Sequence, residues 1–134
     1  MDFAQVMKIA GAALGAQSTR IRVIAENIAN TDTVYKQGVE PYRRKRVLFE
    51  SVIDRVNSAD LVRVREIAEE NSPPVKKFDP NHPYADSQGY VSYPDISPLV
   101  EIADLRDAER SYKANVQVVE GAKRFVKAML DIIR

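Results

Sequence analysis

A chain of 134 residues, 45% apolar and 29% charged, can build one modest core. Its 20 lysines and arginines balance 19 aspartates and glutamates, so a formal charge of +1 favours neither nucleic acid nor an anionic membrane as partner. The absence of cysteine excludes disulfides, thiolate catalysis and cysteine-ligated metals, and a lone histidine, His82, excludes a multi-histidine metal site. Aromatic residues make up only 7%, with no tryptophan, which is thin lining for a shaped ligand pocket. No cofactor and no enzymatic activity are expected.

At the N-terminus, Ile9 to Ala16 (IAGAALGA) has the small residues of a secretory signal core. It is too short and lacks a basic cluster before it, so neither a cleaved signal nor a membrane-spanning segment is expected. A heptad pattern overrides that reading. Phe3, Met7, Ala10, Leu14, Gln17, Ile21, Ile24 and Ile28 step by alternating fours and threes, the spacing that keeps one stripe facing a partner helix. All but Gln17 are apolar. A helix over residues 3 to 29, about 39 Å long, is predicted within an N-terminal unit 1–30. Gly11 and Gly15 weaken it by about 1 kcal/mol each, or mark a close helix approach. Asn30, able to adopt a left-handed conformation, is the expected stop.

The middle, residues 31–97, holds six of the seven prolines. Between them lie β-prone runs at Arg46 to Ile53, Leu61 to Ile67 and Gly89 to Tyr93, which predict short strands. The stretch Asn71 to Pro83 (NSPPVKKFDPNHP) reads as a loop without regular structure.

The C-terminal unit, 98–134, repeats the design of the first. Ile102, Leu105, Glu109, Tyr112, Val116, Val119, Lys123, Val126, Leu130 and Ile133 form a second stripe, interrupted by Glu109 and Lys123. Ser97 is placed to cap this helix, and Pro98 suits its first position. The expected fold is mainly α with a small β insert. Its long terminal helices would pair as a coiled coil, with short strands and loops between them.

Seven apolar stripe positions do not offset the ordering of nearly thirty backbone residues. The two long helices therefore predict an assembly protein whose termini stay loose until they dock. An autonomous coiled-coil adaptor that binds another protein fits the same pattern.

One run narrows the choice. Glu26 to Thr33 (ENIANTDT), following Ala16 to Ile21 (AQSTRI), resembles the signature of the flagellar axial family of rod, hook and junction subunits. The family motif falls here on Asn27, Ile28, Ala29, Asn30 and Thr31. A spacer longer than the family's usual short turn leads to Pro41, Tyr42 and Arg43, and is similar to the proximal-rod branch. Asp79 to Val91 (DPNHPYADSQGYV) and Arg110 to Asn115 (RSYKAN) match further segments of that branch, so the resemblance spans nearly the whole chain. It implies a non-enzymatic building block of the basal-body rod in the periplasmic space, exported unfolded by the flagellar type III apparatus without cleavage. The implied partners are other copies of itself, proximal and distal rod proteins, motor-ring adaptor proteins and the export apparatus. Stacked helices would line the rod and pass torque outward, with no nucleic acid bound and no membrane insertion.

Blander readings stand beside these. The basic run Arg43 to Arg46 suits a solvated strand edge or an inter-subunit ion-pair surface better than nucleic acid. His82 lacks a paired nucleophile. Asn27 and Asn30 serve either helix termination or subunit contacts. Tyr112 and Asn115 lie on or beside the second stripe, where packing explains them and a bond across the helix pair is open.

Overall fold

The computed structural model describes all residues, 1–134. Helix α1 (Phe3–Ala29) is followed by strands β1 (Lys45–Asp54), β2 (Ala59–Glu69), β3 (Val75–Phe78) and β4 (Tyr90–Tyr93), then helix α2 (Pro98–Ile133). The fold is mainly α, with two small antiparallel ribbons, β1–β2 and β3–β4, inserted between long helices.

α1 opens with a reciprocal cap. Asp2 Oδ1 accepts from the Gln5 backbone N–H at 2.8 Å, while Gln5 Oε1 accepts from that of Asp2 at 2.9 Å. Gln5 Nε2 also donates to the Asn57 carbonyl at 2.7 Å, fastening the helix start to the β1–β2 turn. At the other end Asn30 closes the helix in a different way from that expected. Its φ is −103°, outside the left-handed region, and its side-chain Nδ2 satisfies the Glu26 carbonyl at 2.8 Å. Ser97 precedes α2 at the cap position but makes no side-chain cap bond, so Pro98 alone marks that start.

The helices pack antiparallel. Asn27 meets Glu101, Arg20 meets Asp107, and Phe3 and Val6 lie beside Val118, Ala122 and Phe125. With 27 residues against 36, α2 runs past the start of α1 by roughly eight residues, about 12 Å. The core is small. Twelve of 134 residues are buried, and four of the eight buried apolar ones are alanines: Ala10, Ala16, Ala59 and Ala108. Small side chains let backbones approach closely but exclude little apolar surface from water.

The first stripe faces inward over most of its length: Ala10 and Ile24 are buried, Met7, Leu14, Gln17, Ile21 and Ile28 half-buried, and only Phe3 is exposed. The second stripe is rotated from its expected place. Leu105, Val116, Val119 and Val126 are half-buried, whereas Ile102, Glu109, Tyr112, Lys123, Leu130 and Ile133 are exposed. The inward side of α2 instead includes Glu101, Ala108, Ser111, Asn115 and Ala122. A face of small and polar residues sits closer to α1 than one of isoleucines and leucines would.

The β1–β2 ribbon runs along α1, with Lys45 near the helix end and the turn near its start. Its register holds from Lys45↔Glu69 to Asp54↔Ala59, with one irregularity between Leu48 and Phe49. Strand β3 corrects the reading of Asn71 to Pro83 as irregular. Val75 to Phe78 fits between Pro74 and Pro80, so no proline removes a ladder donor, and it pairs with β4 from Val75↔Tyr93 to Phe78↔Tyr90. Gly89, with φ +84°, is needed in this ribbon's loop. A Cβ there would stand 3.0 Å from Phe78 Cε2 and 3.1 Å from Pro80 Cβ. The β3–β4 ribbon packs on no other helix or strand; the Tyr35 backbone N–H, donating to the Ser92 carbonyl at 2.9 Å, ties it to the segment after α1.

Candidate assembly surface

Where α1 ends, β1 begins and α2 begins, one side chain joins all three. Asn27 is buried, and its amide makes the four hydrogen bonds available to it. Nδ2 donates to the Lys45 carbonyl at 2.8 Å and to Glu101 Oε2 at 3.2 Å. Oδ1 accepts from the Lys45 backbone N–H at 2.9 Å and the Tyr42 hydroxyl at 2.8 Å. The motif asparagine thus reads both backbone groups of one strand residue, as a neighbouring strand would, and connects them to the other helix.

The charges beside it close on one another. Glu101 is 1% exposed, and its Oε1 accepts from Arg44 Nε. Arg44 Nη1 donates to Glu70 Oε1 at 2.6 Å, and its Nη2 lies 3.6 Å from Asp104 Oδ2. Lys45 pairs with Glu26 at 3.3 Å, Arg46 approaches Glu70 at 3.6 Å, and Arg43 donates to Asn71 at 2.6 Å. The basic run is therefore largely paired within the chain, Arg44 most of all, while Arg46, 59% exposed, keeps the solvated edge expected from its sequence. Burial lowers the Arg44 pKa, but the hydrogen bond and charge of Glu101, then Glu70, outweigh it and leave the guanidinium above its ordinary value. The Tyr42 hydroxyl is pushed up to about 12, first by burial and then by the carboxylates of Glu26, Glu101 and Glu69. An open recess of about 370 Å³ adjoins this junction, lined by Arg20, Arg44, Glu101 and Asp104 among others, but these charged groups already pair with carboxylates or guanidinium groups of the chain.

The remaining motif residues divide between local roles. Asn30 and Thr31 finish the helix, Thr31 Oγ1 donating to the Asn27 carbonyl at 3.2 Å. Ile28 and Pro41 are half-buried beside the junction residues, and Ala29 is exposed. Asn115 bonds within α2, its Nδ2 donating to the Ser111 carbonyl at 2.8 Å, and Tyr112 makes no hydrogen bond through its hydroxyl. Neither bridges the helix pair. Gly11 and Gly15 face open space beside the β1–β2 ribbon, so neither marks a close approach within the chain.

The opposite end of the molecule has another character. Met1 and Phe3 are exposed at the start of α1, and Ile53 and Val56 at the ribbon turn, Val56 at 92%. Alongside, the last turns of α2 present Phe125, Met129, Leu130, Ile132 and Ile133, with Ile132 at 84%. The start of α1 and the last turns of α2 thus leave apolar side chains that the chain itself does not cover, a pattern that marks interaction sites, and the ribbon turn leaves two more. Two shorter exposures, Leu99 at 78% and Val100 at 50%, lie at the other end of α2. Sequence reasoning passed over Phe125, Met129, Ile132, Leu99 and Val100 because they lie off the heptad stripe. It also missed Arg44 and Glu101, which look like ordinary surface charges until the fold brings them together.

An asparagine lock at the end of a motif-bearing helix, with two long helices offering apolar side chains to solvent, suits a subunit that assembles. The family model "Flagella basal body rod protein" matches residues 7–34, the stretch that includes most of α1 and the Asn27 motif. The chain is thus a structural protein of the bacterial flagellar basal-body rod and not an enzyme.

The relatives narrow this further. The flagellar basal-body rod protein FlgC of Agrobacterium fabrum is 41% identical over 128 residues, covering 95% of this chain and 92% of the relative. The FlgC proteins of Yersinia enterocolitica and Salmonella typhimurium are 36% and 34% identical over 132 residues, with 98% of each chain covered. The chain belongs to the FlgC family of flagellar rod proteins. No helix is long and apolar enough to cross a membrane.

Proposed function

We propose that this subunit builds the proximal part of the rod by polymerising through α1 and α2, and that the resulting stack carries torque from the motor ring to the distal rod and hook. The observation that carries this reading is the exposed apolar surface of the two helices, which a single chain leaves in water at the end where Phe3 lies beside Phe125 and Leu130 extends past them. Neighbouring copies and other rod proteins, proximal and distal, are its natural cover, with motor-ring adaptor proteins at one end of the stack. In the assembled rod α1 and α2 line the inner wall as a helix pair, with the first stripe, Phe3 to Ile28, toward α2, the exposed members of the second, among them Ile102, Tyr112, Leu130 and Ile133, toward neighbouring subunits, and the two ribbons facing outward. The subunit reaches the periplasmic space through the flagellar type III export apparatus, unfolded and without loss of a signal peptide.

Deleting the gene tests this directly. Cells lacking it are expected to form no rod beyond the motor ring and to be non-motile, and the intact gene in trans restores both. Complete basal bodies and normal swimming in the deletion strain would refute the proposal.

A further inference from the structure

The β3–β4 ribbon carries side chains that the fold does not use. It packs on no other helix or strand, yet local contacts hold its shape. Gly89 sits close against Phe78 and Pro80, and Asp86 Oδ1 accepts from the backbone N–H groups of Gln88 at 2.8 Å and Tyr90 at 2.9 Å. One face of the ribbon is packed: Val91 is fully buried, and the Lys77 ammonium lies 4.7 Å from the centre of the Tyr93 ring. The other face holds Lys76 and Phe78 with their cross-strand partners Ser92 and Tyr90. Beside it an open recess of about 370 Å³ forms between Tyr35, Lys36, Gln37, Tyr84, Asp86 and Tyr90. Phe78, Tyr84 and Tyr90 are all exposed. The Tyr35 hydroxyl donates to the Tyr42 carbonyl at 3.2 Å, but those of Tyr84 and Tyr90 have no partner in the chain, nor has Asp86 Oδ2. Lys36 lies 5.0 Å from the centre of the Tyr84 ring, and neither it nor Lys76 enters an ion pair. The Tyr90 N–H, ahead of that of Gln88 and the charge of Lys76, holds the Asp86 carboxyl below the ordinary carboxylate range.

We propose that this recess binds a carboxylate-bearing glycan. The rings of Tyr84 and Tyr90, with Phe78 continuing the platform along the ribbon, offer electron-rich faces to the weakly positive C–H faces of sugar rings. Asp86 Oδ2 and the two free tyrosine hydroxyls bond to sugar hydroxyls, and the Gln37 amide supplies both a donor and an acceptor. Lys36 and Lys76 then face the carboxylates of the ligand, the counter-charge that the chain itself does not give them. Single-stranded nucleic acid also combines stacking with lysines. An ionised carboxylate within the recess repels phosphate, however, while it accepts readily from a hydroxyl. The site lies outside α1 and α2, so it adds a ligand to the rod role and does not depend on it.

The full chain, isotopically labelled, is titrated by NMR with two tetrasaccharides. One is chitotetraose; in the other, alternate sugars are N-acetylmuramic acid, so the pair differ only in lactyl carboxylates. Saturable shifts of the Lys36, Tyr84, Asp86 and Tyr90 amide signals are expected with the carboxylated sugar, at a Kd of about 1 mM or below. Chitotetraose is expected to bind about tenfold more weakly. Tyr84→Ala is expected to lower the affinity by about fivefold or more. Lys36→Glu is expected to erase the preference between the two sugars, with the α1 amide signals in place to show that the variant is folded. Lys36 is exposed and lies outside the ribbon, so this variant carries the test if Tyr84→Ala disturbs the loop. No saturable shift at these positions, equal affinity for the two sugars, a preference unchanged by Lys36→Glu, or tighter binding of a short oligothymidylate overturns the proposal. Each of these results leaves the rod role intact; that role fails separately, by intact basal bodies in the deletion strain.

Discussion

The two ends of the helix pair use opposite physics. Around Asn27 and Glu101 the chain buries polar and charged groups and satisfies them internally: an amide with four hydrogen bonds, and a guanidinium held by carboxylates from α2 and from the end of β2. At the start of α1 and the end of α2 it does the reverse and leaves Phe3, Phe125, Leu130 and Ile132 in water. Directional bonds fix an angle between elements, because they are lost when the geometry shifts. Apolar surface fixes little by itself but gains whenever it is covered. A subunit that must present a defined shape to its neighbours while also binding them benefits from both, kept apart. The polar end sets how helices and ribbon meet, and the apolar end is left for association.

The contrast makes measurable demands. Glu101→Ala removes the main partner of Arg44, itself only 17% exposed, and leaves an Asn27 donor unmet. It should lower stability by about 3 kcal/mol, read as a drop in the urea midpoint. Asn27→Ala deprives the Lys45 backbone of both its partners and should cost about 2 kcal/mol in the same assay. A loss near zero for either would mean that the junction does not hold the helices together.

Tyr42→Phe should cost about 1 kcal/mol for the lost bond to Asn27 Oδ1. It should also alter the alkaline response. The folded tyrosine holds its proton to about 12, against 10.0 for an ordinary tyrosine, so the folded chain binds more protons across that interval. The Tyr42 contribution to stability is therefore complete below pH 10.0 and lost as pH rises toward 12. Titrating the urea midpoint across that range should show a shallower fall in the phenylalanine variant than in the parent. At the apolar end, Ile132→Ser and Leu99→Ser should leave the unfolding of the monomer within about 0.5 kcal/mol of the parent, because neither side chain is covered in the single chain. A large loss of monomer stability from Ile132→Ser would mean that this end already packs within the chain.

Local pattern carried much of this to the page before any fold was known. The heptad steps from Phe3 to Ile28, and Pro98 followed by a second set of steps, located two helices whose lengths match α1 and α2. The alternation in LVRVREI located β2. These signals are short-range, since each depends on neighbours within a turn or two of the same element. The Asp2 and Gln5 cap was not among the expected features, and the further bond from Gln5 to Asn57 joins residues 52 positions apart.

What pattern left open has a common cause. β3 forms because β4 is there to pair with it, and VKKF alone is too short to declare itself. The rotation of α2 depends on how closely Ala108 and Ala122 let the helices approach, not on which of its residues are most apolar. In sequence Asn27 reads as a helix stop or a subunit contact, because its partners, Tyr42, Lys45 and Glu101, lie 15, 18 and 74 residues away. The sequence by itself determined two long helices, a β-bearing insert and an excess of apolar surface that calls for partners, since periodicity and composition are local properties of the chain. Only the tertiary structure decided which polar groups lock the helices together and which apolar ones remain free, because both depend on groups distant in sequence meeting within hydrogen-bonding or packing distance.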